Sequence, residues 1–140
     1  MINQQAKNLI INTDGGSRGN PGPAAIGVVI KNNSNKIIHQ FGQTIGIATN
    51  NVAEYQGVIF ALKYLIKNKL TPTSIKFYLD STLVVNQLGG LWKVKNPNLR
   101  NLVIKIRELE ATLNTSITYA AIPREKNYQP DALLNQALDS

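Results

Sequence analysis

Residues 10–30 read IINTDGGSRGNPGPAAIGVVI, and this stretch decides how the rest of the chain is laid out. An apolar run, Leu9 to Ile11, rises to Asp14 and gives way to a segment dense in Gly and Pro. A second apolar run, Ala24 to Ile30, follows. Strand, tight loop, strand is the local reading. Asp14 closes the first strand, in a buried setting where a carboxylate is costly unless a cation meets it. Behind it, Gly15, Gly16, Gly19 and Gly22 clear side chains from the loop, so a ligand can approach the backbone. An Asp before Gly-Gly also serves simply to cap a turn. Asp14 therefore gains meaning only from the acids downstream.

Working outward, residues 1–6 read as a frayed lead and Lys7 to Thr13 as the first strand. Ala24 to Lys31 is the second strand, Asn32 to Asn35 a turn, and Lys36 to Gly46 a third strand holding the lone histidine, His39. Three strands joined by short turns imply an antiparallel meander. The period then changes. Asn50–Asn51 are suited to cap a helix from about Val52 to Asn68, with Ala53, Val58, Ala61, Leu62 and Leu65 on its buried face. Ser74 to Leu79 is a compact strand closed by Asp80, and Ser81 to Leu88 is a short helix stopped by Gly89-Gly90. Trp92 to Asn98 is a basic loop and Leu99 to Leu113 a helix. Thr115 to Ile122 is the last strand, Pro123 to Gln129 a polar loop, and Pro130 to Leu138 a terminal helix. Helical crossovers require parallel neighbours among the later strands, so the expected architecture is α/β with a mixed sheet. Ligands of such sheets gather at the strand C-terminal ends. If the first and fourth strands are parallel neighbours, Asp14 and Asp80 lie side by side there.

Composition narrows the chemistry. The 140 residues suit one domain spanning 1–140. There is no cysteine, which excludes disulfides and thiolate metal sites, and the start of the chain lacks the form of a signal peptide. An intracellular, cytoplasmic chain with no membrane span and a monomeric state is the expectation. Fifteen Lys and Arg against eight Asp and Glu give a net charge of +7, which suits a polyanionic partner, nucleic acid first.

Against that basic background, four of the eight acids stand at strand ends or helix starts beside apolar sequence: Asp14, Glu54, Asp80 and Asp131. Singly, each has an ordinary explanation: Glu54 and Asp131 as first-turn acids complementing a helix dipole, Asp80 as a helix N-cap. Glu54 sits about 100° round the helix from Ala53, at the border of its apolar face. Packed together, the four would repel each other and hold protons unless cations neutralised them. Oxygen-only ligation points to Mg²⁺, with Mn²⁺ as a substitute, and to two-metal phosphodiester chemistry. Glu108, Glu110 and Asp139 read as solvated helix residues.

Four blocks, DGGSRGNPGPAAIG, TNNVAEYQGVIFAL, FYLDSTLVVNQLGG and PREKNYQPDALLNQALD, occur in an order and spacing that resembles the type 1 ribonuclease H family, from about residue 8 to residue 139. The resemblance implies a five-stranded mixed sheet flanked by helices, with strands 1-2-3 as the meander and strands 4 and 5 parallel. It implies endonucleolytic cleavage of RNA in RNA–DNA hybrids, leaving 5′-phosphate and 3′-hydroxyl. Asp14, Glu54, Asp80 and Asp131 match the family's catalytic acids, which hold two Mg²⁺ ions. Asp14 would bridge the pair, Asp131 would share the ion at the attacking water, and Glu54 and Asp80 the ion at the leaving oxygen. Gly15, Gly16 and Ser17 would let backbone groups reach the 2′-hydroxyls that mark RNA. Asn20, Thr49, Asn50 and Asn51 match residues that hold the hybrid or its phosphates.

The sequence departs from the family pattern in four places. Many members carry a histidine in the loop before the last acid. Here that loop reads PREKNYQPD, so His39 is expected to be structural or at the surface. Arg124 is expected to touch phosphate, and Glu125 to recruit metal or help product leave. Where some members insert a basic helix, only GGLWKVKNPNLR stands, leaving Lys93, Lys95 and Arg100 as a reduced grip and Trp92 as a partly buried anchor or part of that grip. Thr82 stands where many members carry Gln, which weakens a minor-groove contact. A separate hybrid-binding domain before residue 8 is not expected, and low processivity is expected with it. A reduced grip also leaves double-stranded RNA open as a second substrate, and a catalytically silent nucleic-acid-binding module as the alternative of another class.

Overall fold

A computed structural model describes residues 7–140; the frayed lead expected at 1–6 lies outside the described residues. Three strands open the chain, β1 (Asn8–Ser17), β2 (Gly22–Lys31) and β3 (Ile37–Ala48). They are followed by α1 (Asn50–Lys67), β4 (Ser74–Leu79), α2 (Thr82–Leu88) and α3 (Pro97–Leu113). The chain ends with β5 (Ser116–Ala121), a single 3-10 turn (Arg124–Lys126) and α4 (Tyr128–Asp139). The sheet order is β3-β2-β1-β4-β5. β1–β2 and β2–β3 pair antiparallel, whereas β1–β4 and β4–β5 pair parallel, as the meander and the helical crossovers require.

Two glycines show how the helices are divided between the faces. A Cβ on Gly15 would meet the Ala53 carbonyl oxygen of α1 at 2.1 Å, and one on Gly16 would meet Leu134 of α4 at 3.5 Å. Successive strand residues point to opposite faces, so α1 and α4 cover opposite sides of the sheet. On the α1 side lies the main core, where Ile11, Val28, Tyr55, Leu62, Phe77 and Ile106 are fully buried. α3 packs on α1 and carries the sequence's apolar stripe: Ile106 and Leu109 are buried, and Leu102 and Leu113 pack against them.

Several element boundaries differ from expectation. β1 does not stop at Asp14; its antiparallel ladder with β2 runs on through Asp14↔Gly27 to Ser17↔Ala24, because a paired neighbour carries the glycines in extended form. Thr49, not Asn50 or Asn51, caps α1, its hydroxyl accepting from the Val52 N–H at 3.2 Å. The helix therefore begins at Asn50, which puts Glu54 beyond the first turn. Ser81 caps α2, so Asp80 is not spent as a cap. Asn96 caps α3 through the N–H groups of Asn98 and Leu99, and Pro97 fits the first helical position, so α3 starts before Leu99. The loop from Pro123 to Gln129 is partly helical, with α4 already formed at Tyr128. His39 stacks on Tyr64 of α1, ring centroids 4.2 Å apart and nearly parallel, a structural role as expected. Among the described residues, no helix is long and apolar enough to cross a membrane.

Candidate active site

The parallel register of β1 and β4 builds the site. Asn12 lies opposite Tyr78, so two residues further on Asp14 and Asp80 emerge side by side past the end of that ladder. Gly15 lets the backbone of α1 press onto β1 at Ala53, and the next residue, Glu54, arrives beside them. Carboxylate oxygens of Asp14, Glu54 and Asp80 all lie within 4.8 Å of one another. The fourth expected acid, Asp131, stands outside that group, on the first turn of α4. It lines the same cleft of about 360 Å³, together with Asp14, Gly15, Gly16, Ser17, Asn50, Glu54 and Arg124.

The electrostatics follow from burial and like charge. Burial, first, and then the Asp80 and Asp131 carboxylates push Asp14 up to about 8, against the Gly15 N–H at 2.9 Å and the Arg124 guanidinium. Glu54 is pushed up to about 9 by burial, then by Asp14 and Asp80. Its Oε1 is buried with no hydrogen-bond partner. A buried, unpartnered carboxylate oxygen facing two other acids is unfavourable as it stands, and a hard divalent cation satisfies it. With oxygen donors and neither Cys nor His in the cluster, the residues fit Mg²⁺ or Mn²⁺ and do not fit zinc.

The neighbouring polar residues divide into two groups. Ser17 and Asn50 hold the frame: the Ser17 N–H donates to Asn50 Oδ1 at 2.9 Å, and the Asn50 N–H donates to Asn20 Oδ1 at 3.0 Å. Asn20, Thr49 and Asn51 also line a second cleft of about 290 Å³, where Asn96 and Asn98 of the α3 start join them. The sequence does not signal the asparagines of the α3 start there, because nothing in NPN speaks of the distant start of α1. Gly15 is buried against α1 and serves helix approach as much as ligand access.

Other expected residues fall elsewhere. Arg124 lines the acid cleft, but Glu125 is exposed on the 3-10 turn and does not. Trp92, just past the Gly89-Gly90 turn, is 48% exposed, so its ring is half covered and half open to solvent. Lys93 and Lys95 are exposed, while Arg100 is used internally, donating to the Val94 carbonyl at 3.2 Å. Glu110 is not solvated: it accepts from the Tyr119 hydroxyl at 2.6 Å and pairs with Arg107 at 3.1 Å. Asp139 pairs with Arg18 at 2.6 Å. The sequence assigns no role to Asn127, yet it is fully buried and ties α4 to β1. Its only signal was its place one helical turn before Asp131.

The family described as Reverse transcriptase-like matches residues 12–137. LC11-RNase H1, solved in complex with an RNA/DNA hybrid, superposes with a TM-score of 0.89 at 43% identity, over 94% of this chain and 96% of that one. The chain belongs to the ribonuclease H family.

Its ribonuclease H relatives include the Ribonuclease HI of Halobacterium salinarum, 43% identical over 127 residues, which are 90% of this chain and 62% of that protein. The solved structure of RNase H1 from that archaeon has a TM-score of 0.87 at 41% identity, covering 94% of this chain and 98% of the other. The Bifunctional protein Rv2228c of Mycobacterium tuberculosis is 42% identical over 133 residues, 94% of this chain but 36% of that protein. The chain thus spans between 36% and 62% of the length of these curated relatives.

Proposed function

We propose that this chain is a metal-dependent endoribonuclease that hydrolyses the RNA strand of RNA–DNA hybrids, leaving 5′-phosphate and 3′-hydroxyl ends. The observation that carries the reading is the cluster of Asp14, Glu54 and Asp80, with oxygens within 4.8 Å and Asp131 on the same cleft. The hybrid-bound LC11 relative supports the choice of substrate.

The four acids would hold two Mg²⁺ ions, or Mn²⁺ in their place. Ions bound there supply a water of lowered pKa and charge neutralisation at the leaving oxygen. Asp14, at the centre of the group, would be shared between them, with Asp131 toward the nucleophile and Glu54 and Asp80 toward the leaving group. Arg124, at the rim, offers a guanidinium to a phosphate oxygen. The cleft of Asn20, Thr49, Asn51, Asn96 and Asn98 offers neutral amide and hydroxyl donors of the kind that seat a backbone phosphate and fix register. The +7 charge favours the encounter with a polyanion.

Incubation of end-labelled RNA–DNA hybrid, double-stranded RNA and double-stranded DNA with Mg²⁺, Mn²⁺ or EDTA tests this. Metal-dependent cutting of the hybrid's RNA strand, lost in Asp14→Asn, is expected. Equal cutting of duplex RNA would replace it with a relaxed nuclease, and binding without cutting under either metal would reduce the chain to a binding module.

A further inference from the structure

We propose that Arg18 and Asn135 form a brace that orients the Asp131 carboxylate, making Arg18 a positioning residue rather than a grip on the substrate. This rests on the reading that Asp131 completes the metal-dependent site.

Asp131 is the acid carried on the other face of the sheet. Asp14 and Asp80 lie just past the end of the β1–β4 ladder and Glu54 is pressed in by the Gly15 contact, whereas Asp131 depends on how α4 is seated. On α4, residues 131, 135 and 139 recur at one-turn spacing and share a face. Arg18, in the glycine loop between β1 and β2, reaches across to that face. Its Nη1 donates to Asp139 Oδ1 at 2.6 Å and its Nη2 to Asn135 Oδ1 at 3.2 Å. A guanidinium only donates, so it can hold only the oxygen end of the Asn135 amide. The nitrogen end then faces back along the helix. There Asn135 Nδ2 donates to the Asp131 carbonyl at 2.9 Å and lies 3.4 Å from Asp131 Oδ1.

Each link has a directional reason. Arg18 selects the polarity of the amide. The amide presents a donor to the carboxylate, which holds the Asp131 side chain in one rotamer. Asp139 neutralises Arg18 and keeps the guanidinium from turning to Asp131, where it would compete with a cation. The loop that carries Arg18 is itself closed, the Arg18 N–H donating to the Pro23 carbonyl at 2.8 Å. The brace thus ties the loop behind Asp14 to the helix that carries Asp131.

Three variants test it: Arg18→Gln, Asn135→Ala and the double variant. The readouts are calorimetric titration of the metal-free protein with Mn²⁺, kcat and KM on RNA–DNA hybrid, and thermal unfolding. A half-exposed ion pair contributes little stability, so unfolding should move only slightly. Mn²⁺ affinity and kcat should each fall by roughly tenfold in either single variant, with KM for the hybrid within about twofold. The double variant should be no worse than the worse single, because both break one chain of contacts. Arg18→Lys keeps the charge but loses the fork and should restore only part of the loss. A rise in KM with unchanged Mn²⁺ affinity would make Arg18 a nucleic-acid contact and overturn the brace. Additive losses, or no loss, would overturn it as well. Wild-type protein that cuts no hybrid would defeat the underlying reading, whereas wild-type cutting with unaffected variants defeats the brace alone.

Discussion

Asn127 and Thr13 are 114 residues apart in the chain and meet through one buried hydrogen bond, the Asn127 side-chain amide donating to the Thr13 carbonyl at 2.9 Å. The same side chain accepts from Asn12 Nδ2 at 3.0 Å, so one asparagine satisfies two buried groups of β1. It stands at the N-terminal boundary of α4, one turn before Asp131, and sets that helix end against the strand that carries Asp14. Asn127→Ala leaves both β1 partners unmet in the interior. A loss of roughly 2–4 kcal/mol is expected from two such orphaned groups, measured by urea unfolding, with hybrid cleavage falling further than stability explains. Unchanged unfolding would show that water replaces the amide at no cost.

Asp14 and Glu54 keep their protons in the folded, metal-free chain up to about 8 and about 9. An unfolded carboxyl releases its proton near pH 4. Between these limits the folded state binds more protons than the unfolded one, so stability falls as pH rises from about 4 toward 9. In EDTA, Tm should decline across that window, and Asp14→Asn should flatten the decline while raising Tm near neutrality. Saturating Mg²⁺ should raise the wild-type Tm most at the alkaline end, where the acids no longer need to lose protons first. A metal-free Tm that climbs through the window would contradict the burial of these acids.

Gly27 lies under α4, where an added Cβ would sit 2.0 Å from the Pro130 carbonyl oxygen. Backbone cannot yield as a side chain can, so Gly27→Ala must lift the start of α4 and Asp131 with it. A cost of about 1–3 kcal/mol is expected, with near-complete loss of cleavage. Gly16→Ala is the control for stability: its Cβ would meet Leu134 at an ordinary 3.5 Å, and its unfolding midpoint should barely move. Equal destabilisation by the two changes would mean that α4 adapts its position freely.

Asn51 and Asn96 separate phosphate seating from helix capping. Asn96 caps α3 and also lines the cleft, whereas Asn51 is exposed, lines the cleft and caps nothing. Asn96→Ala should cost about 1 kcal/mol of stability and raise KM. Asn51→Ala should raise KM for the hybrid by roughly fivefold, the worth of one hydrogen bond of about 1 kcal/mol, with Tm unchanged. Hybrid affinity of Asn51→Ala equal to wild type at every salt concentration would remove the cleft from the binding surface.

The order of strands and helices, the apolar faces of α1 and α3 and the identity of the candidate acids were legible in the sequence. Apolar period, turn residues and acids at element ends are local signals, written within a few residues of where they act. The boundaries were less legible: Thr49 caps α1 in place of Asn50–Asn51 because the choice among neighbouring capping residues depends on where the helix is held by packing. What only the tertiary structure decided was proximity. The β1–β4 register set Asp14 beside Asp80, the bare Cα of Gly15 admitted Glu54, and Asn127 and the Arg18–Asn135 contacts placed the helix bearing Asp131. Each of these is a pairing between residues tens of positions apart. No local pattern encodes such a pairing; it is the packing of the two sheet faces and the burial of polar groups that must be satisfied together that select it.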